Sequence, residues 1–286
     1  MKKKIWVSAA VCAFAVAGIL ALDIGKDYWE KNEARREYEE MRQQDKEQEI
    51  QAQDTDGEDG ERGVRAQGQL REETEPGHDA QSGSAGKKLK QIDIPVDFHS
   101  LREQNPDIYA WITIPGTEID YPVVQDSNDD SYYLTHTAER TESVSGAVFS
   151  EHYNSKDFSD QLTVLYGHNM KDGSMFAGLH QYEDSQFMKD HDEITIYTPN
   201  AILKYRIFAA YLSDDKHILL NYNLGREEDS RKAYIDEIMG QRTMKASLDT
   251  DVPVDESSSI LTLSTCHSAG KDSRYLVQAY LTEKLE

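Results

Sequence analysis

Cysteine is nearly absent from this chain: two in 286 residues, Cys12 and Cys266. Cys12 lies inside an N-terminal apolar run, so the rest of the chain carries one thiol and cannot form an internal disulfide. Positive charge is also short, with 31 Lys and Arg against 53 Asp and Glu, a net charge of −22. That deficit argues against nucleic acid as a partner, because duplex binding needs clustered cations to replace phosphate counterions. It argues equally against broad adhesion to an anionic lipid surface. Hydrophobic residues make up 38%, too few for a chain folded throughout, so part of it forms no core. No repeat is present. No paired Cys and no His–x₃–His spacing marks a metal site, and neither a metal nor a cofactor is expected.

What is present begins with Lys2, Lys3 and Lys4, followed by an uncharged apolar run over residues 5–22. At ~1.5 Å per residue this run reaches roughly 27 Å, close to the thickness of a hydrocarbon core. The lysines before it and the acidic sequence after it predict a membrane anchor with residues 1–4 inside and the remainder outside. Small residues at Ala13, Ala15, Ala17 and Ala21 also suit a cleaved signal peptide, and either way the body of the protein is exported.

Residues 23–90 read as a spacer. The first half is dense in Glu, Lys, Arg and Gln without an apolar stripe, as in a solvated helix; the second is rich in Gly, Asp, Glu, Gln and Ser, as in a flexible linker. The composition changes at Ile92, and residues 91–286 are expected to form one domain. Short runs at 109–114, 119–124, 146–149, 162–166, 194–197, 203–211, 259–265 and 275–281 are bounded by turn residues and predict strands. Helices are expected at 98–104, 174–182 and 227–242. The class this predicts is mostly β, a closed or nearly closed eight-stranded barrel with helical insertions.

Three features of this domain carry chemistry. Leu165-Tyr166-Gly167-His168-Asn169-Met170 is a strand that ends by presenting His168, and Leu261-Thr262-Leu263-Ser264-Thr265-Cys266 is a strand that ends on the thiol. Arg274 opens the last strand, eight residues after Cys266. A neighbouring cation favours the reactive thiolate. A guanidinium stabilises an oxyanion, and a histidine can protonate a departing amine.

These motifs resemble the catalytic signature of the sortases, the cell-surface cysteine transpeptidases of Gram-positive bacteria. The segments Ala110-Trp111-Ile112-Thr113-Ile114-Pro115-Gly116-Thr117 and Ile119-Asp120-Tyr121-Pro122-Val123-Val124-Gln125 agree with it. The insertion with a helix at 227–242 is similar to class B. The resemblance spans 92–286 and implies the sortase-type β-barrel. In it Cys266 is the nucleophile that attacks the Thr carbonyl of a sorting motif, His168 the general acid and base, and Arg274 the oxyanion and substrate clamp.

The resemblance further implies that Tyr166, Ser264 and Thr265 line the substrate groove. The cluster Tyr132-Tyr133-Leu134 reads as core or groove wall, with Leu134 a substrate-contact candidate. Class B relatives carry an Asn shortly before the Tyr-Leu pair; here Asn128 or Asp130 stands near that position. Implied partners are surface proteins with a C-terminal sorting signal, an acceptor amine on a peptidoglycan precursor or a pilin, and the membrane through the N-terminal helix. Two other readings stay open at this level: a non-catalytic peptide-binding surface module, and a papain-like protease that releases product to water.

Overall fold

The computed structural model describes residues 92–222, 228–243, 245–267 and 272–286, together with positions 36, 40 and 41. The expected anchor at 5–22 and nearly all of the spacer at 23–90 lie outside the described residues. Among the described residues no helix is long and apolar enough to cross a membrane.

Nine strands form: β1 (Ile108–Thr113), β2 (Asp120–Val124), β3 (Val148–Phe149), β4 (Leu162–Tyr166), β5 (Glu193–Thr198), β6 (Ala201–Asp214), β7 (Ser247–Leu248), β8 (Ile260–Cys266) and β9 (Ser273–Leu285). Eight of them close a ring in the order β5-β1-β2-β3-β4-β8-β9-β6, with β6 returning to β5. Pairings are antiparallel except β2–β3 and β4–β8. This is the eight-stranded barrel the sequence predicts. The ninth, β7, is a short addition on the outside of β6, too brief to show as a run.

Every side chain in a β-strand faces one side or the other in alternation. Leu165, Leu263 and Val277 point into the barrel core. Val164, Ile260 and Leu276 point outward into a second apolar cluster. Both faces of this wall are covered, so β8 is buried from Ile260 to Thr265 and reads as a nearly continuous apolar run.

Helix α1 (Phe98–Gln104) is capped by Asp97, whose carboxylate accepts from the N–H groups of His99 and Ser100 at 2.9 and 3.1 Å. The expected helix at 174–182 is a 3-10 helix, Phe176–Glu183, entered through Met175 at φ 55°. Helices α2 (Ser185–Asp190) and α3 (Ile218–Asn221) are too short to carry a helical period. Helix α4 (Glu228–Met239) lays Tyr234 and Ile238 on the outer cluster.

A polar network is sealed beneath α4. Thr262 donates to Gln278 Oε1 at 2.7 Å, and Gln278 Nε2 donates to the hydroxyls of Tyr211 and Tyr234 at 3.1 and 3.0 Å. Each such bond contributes about 1 kcal/mol net, and together they fix where α4 sits on the wall.

Candidate active site

Strand register brings the three chemical motifs together. In the parallel β4–β8 pair, Tyr166 lies beside Ser264, and the Gly167 N–H continues the ladder to the Ser264 carbonyl at 3.2 Å. His168 and Cys266 each follow two residues on, so they leave adjacent strand ends. In the antiparallel β8–β9 pair, Cys266 stands directly opposite Arg274. Cys266 and Arg274 thus lie on neighbouring strands, about 4.8 Å apart as strands are, and His168 follows the end of the strand on the other side of β8.

They open onto a groove of about 330 Å³ on the outer face of the barrel wall. Tyr166, Ser264 and Leu276 line it from the strands, and Asp130, Leu134, His217 and Ile218 line it from outside them. The groove continues the face that α4 covers lower down, so the outer cluster ends where the site begins.

Glycine at 167 is required by space. A Cβ there would lie 2.6 Å from the Phe176 ring, and the Phe176 backbone N–H donates to the His168 carbonyl at 2.9 Å. Those contacts press the Tyr-Gly-His turn onto the 3-10 helix and aim His168. Its Nε2 lies 2.8 Å from the Leu134 carbonyl. A carbonyl only accepts, so the hydrogen sits on Nε2 and Nδ1 is left to take or give a proton.

The Leu134 carbonyl is itself held in place. It belongs to a 3-10 turn, Tyr132–Leu134, whose Tyr133 is buried. The Tyr133 hydroxyl donates to Asp107 at 2.7 Å and accepts from Asn105 at 2.8 Å, and Arg140 pairs with the same Asp107. Gly146, at φ +55°, passes below this turn, where a Cβ would meet the Tyr133 carbonyl at 2.5 Å and His168 Cδ2 at 3.1 Å.

The thiol of Cys266 is exposed to the groove. Its peptide carbonyl accepts from Asn169 Nδ2 at 3.0 Å and lies 3.2 Å from His180 Nε2; those two nitrogens are 3.0 Å apart. Arg274 is half-buried, and its guanidinium donates to the Ser273 carbonyl at 3.3 Å.

The predicted groove residues divide. Leu134, Tyr166, Ser264 and Thr265 line the groove with the three chemical residues. Asn128 does not: it sits on an exposed turn with its N–H on Asp126 at 2.7 Å, and Asp130 faces the groove in its place. Asp130 also accepts from the His152 N–H at 2.7 Å and lies 2.6 Å from the His152 ring.

Sequence reasoning missed Glu151 and His217. The Tyr166 hydroxyl donates to Glu151 at 3.2 Å, and burial and that carboxylate hold it well above its usual pKa, so it stays a donor. His217 Nδ1 accepts the Leu220 N–H at 3.3 Å, which places its hydrogen on Nε2, 2.9 Å from Glu151. The two residues are 66 apart in sequence and no local spacing marks the pair. A second group, His180, Glu183 and His267, has the chemistry to hold a metal ion.

A thiol, an imidazole and a guanidinium brought by adjacent strands to one open groove are the groups that cysteine acyl-transfer chemistry needs in a barrel enzyme. The comparisons with known proteins agree. The sortase domain profile matches residues 112–282. Sortase B of Listeria monocytogenes is 33% identical over 195 residues, which cover 67% of this chain and 76% of that protein. Sortase B of Staphylococcus aureus is 30% identical over 179 residues, 63% of this chain and 71% of that one. The solved Staphylococcus aureus sortase B–substrate complex superposes with a TM-score of 0.57 at 29% identity, covering 65% of this chain and 84% of that one. The chain belongs to the sortase family, class B, and is a cysteine transpeptidase.

Proposed function

We propose that this transpeptidase cleaves a sorting signal on surface proteins through a Cys266 thioester and passes the acyl group to a cell-wall amine. The observation that carries the reading is the register: β4, β8 and β9 end side by side with His168, Cys266 and Arg274 at one groove.

In the first half-reaction, the Cys266 thiol gives its proton to Nδ1 of His168, Sγ adds as the thiolate to the carbonyl carbon of the motif threonine, and the Arg274 guanidinium meets the oxygen that becomes negative. The C–N bond then breaks, the departing amine takes a proton from Nδ1 of His168, and a thioester remains. In the second, an incoming amine attacks the thioester, gives its proton back to His168 and releases Sγ. Tyr166, Ser264, Thr265 and Leu134 hold the peptide along the groove floor and wall. An amine acceptor competes with water, and the open groove admits it.

Residues 1–4 and 5–22 supply a cytoplasmic tail and a membrane anchor, 23–90 a stalk, and 91–286 the catalytic domain outside the cell. The acceptor is an amine on a peptidoglycan precursor, and a pilin amine is the alternative in the same chemistry.

The test is a peptide-library cleavage assay with and without added amines, read by mass spectrometry. The expected result is an acyl adduct on Cys266, amide product when amine is present, and loss of both in Cys266→Ala and His168→Ala with the fold retained. Turnover by Cys266→Ala, or product that goes to water at every amine concentration, sinks the proposal.

A further inference from the structure

On the far side of the Cys266 peptide from the groove, one carboxylate stands between two histidines. Glu183 Oε1 is 3.4 Å from His180 Nδ1 and 3.4 Å from His267 Nε2. Its other oxygen, Oε2, is 3.0 Å from Lys245 Nζ. The three ligand atoms all lie within 4.8 Å of one another. Two local rules make the group. His180 and Glu183 are three apart on a 3-10 helix, where such positions eclipse. His267 comes from the opposite direction, as the residue after the nucleophile, and only 6% of its side chain is exposed. The ring of buried Tyr275 packs against both histidines, 4.9 Å from His180 and 6.3 Å from His267.

Two arrangements of charge fit the hydrogen bonds. With its hydrogen on Nδ1, His180 donates to Glu183 and its Nε2 accepts from Asn169 Nδ2 at 3.0 Å, while Asn169 alone serves the Cys266 carbonyl. With its hydrogen on Nε2, His180 joins Asn169 in donating to that carbonyl, and its Nδ1 lone pair faces the Glu183 carboxylate across a cation. The separations decide between them. A shared proton draws a charge-assisted N–H···O pair in to about 2.7–2.9 Å. Both separations here are 3.4 Å. A four-coordinate ion with bonds of about 2.0–2.1 Å holds its ligand atoms roughly 3.3 Å apart, close to the 3.4 Å of each histidine nitrogen from Glu183 Oε1. Two imidazoles and a carboxylate are also a donor set that suits Zn²⁺.

We propose that His180, Glu183 and His267 form a binding site for a divalent ion of the Zn²⁺ type, which ties the 3-10 helix to the strand end that carries Cys266. This revises the expectation of no metal, which rested on local spacing and could not see a partner 84 residues away in His267. The ion does not reach the sulfur. It acts through His180: an imidazole ligated at Nδ1 is a stronger Nε2–H donor, so the Cys266 carbonyl is held more firmly. His180, Glu183 and His267 are positioning residues on this reading.

The full chain is purified in detergent micelles in a Cys12→Ser, Cys266→Ala background, so that no thiol competes for metal. Zn²⁺ is titrated by calorimetry, thermal unfolding is followed with Zn²⁺ and with chelator, and Co²⁺ is added as a spectroscopic probe. The expected result is one Zn²⁺ per chain, a higher Tm with metal, and visible Co²⁺ bands of four-coordinate N/O ligation. Glu183→Gln, which keeps the shape, and His180→Ala each weaken Zn²⁺ binding by more than the roughly 10- to 100-fold that loss of an outer partner costs. Their melting in chelator shows separately that they fold. His191→Ala serves as a control and binds as before. No saturable binding, six-coordinate Co²⁺, or affinity unchanged by Glu183→Gln and His180→Ala overturns the proposal. A stability loss in Glu183→Gln that is the same with and without metal assigns the cluster to proton sharing and also overturns it.

Discussion

Cys266 and Arg274 face each other as direct partners across the β8–β9 ladder. Their spacing is therefore set by backbone hydrogen bonds and does not depend on a flexible loop between them. In the proposed mechanism the Arg274 guanidinium meets the charge that develops on the attacked carbonyl.

Arg274→Ala is expected to lower kcat by ~10²–10³-fold, the usual loss for one oxyanion donor. Arg274→Lys restores only part of it, because an ammonium is a point charge without the planar fork. Thermal unfolding of both variants should match the parent, since Arg274 lies at the mouth of the groove outside either apolar cluster. Steady-state kinetics with a sorting-motif peptide, beside a melting curve, checks both points. Unchanged kcat in Arg274→Ala removes the residue from the chemistry.

Gly146→Ala tests whether the turn below His168 sets its aim. The backbone there is at φ +55°, and an added Cβ lies 2.5 Å from the Tyr133 carbonyl and 3.0 Å from the Leu134 carbonyl. A left-handed alanine costs about 1–2 kcal/mol before any clash. The expected outcome is a lower Tm together with a loss of kcat larger than the fraction of unfolded enzyme explains. A variant that loses stability but keeps its kcat per folded molecule separates the turn from the catalytic histidine.

Alkaline pH should unfold the chain in one step. Burial raises the hydroxyl pKa of Tyr109, Tyr205 and Tyr211, and that of Tyr234 up to about 12. The unfolded chain releases these protons near pH 10, about the free tyrosine value. Above that pH the folded state binds more protons than the unfolded state, so stability is whole below about pH 10 and falls as pH rises. The tyrosinate absorbance of these four should grow in as circular dichroism is lost. Full ionisation of all 16 tyrosines before any loss of structure contradicts the burial argument.

The sequence showed most of the barrel because both faces of its walls are covered. Continuous apolar runs such as Leu162–Tyr166 and Ile260–Cys266 stand out against their Gly, Asp and Ser flanks. That His168, Cys266 and Arg274 would meet at one groove was legible for the same reason, since Cys266 and Arg274 sit at strand ends and His168 just beyond one. What was not legible depends on pairs far apart in sequence: Glu151 with His217, and Glu183 with His267. The choice between Asn128 and Asp130 was hidden too, as was the contact of Asp130 with His152 across a loop. Helices α2 and α3, of six and four residues, lack the length for a helical period to show.

Tyr234→Phe separates stability from chemistry along the same two strands. Tyr234 lies on α4, and its hydroxyl accepts from Gln278 at 3.0 Å and lies 3.0 Å from Thr262. All three residues are buried, and Thr262 pairs with Gln278 in the ladder that ends four residues on at Cys266 and Arg274. Removing the hydroxyl leaves one hydrogen of the Gln278 amide without its acceptor in a dry site, a loss of about 1–3 kcal/mol. The groove residues above, Ser264 and Leu276, keep their backbone pairing. The expected outcome is a lower Tm with kcat and KM unchanged, the reverse of Arg274→Ala. A drop in kcat without a drop in Tm would mean that α4 positions the nucleophile directly, and not only by holding the outer face of the wall.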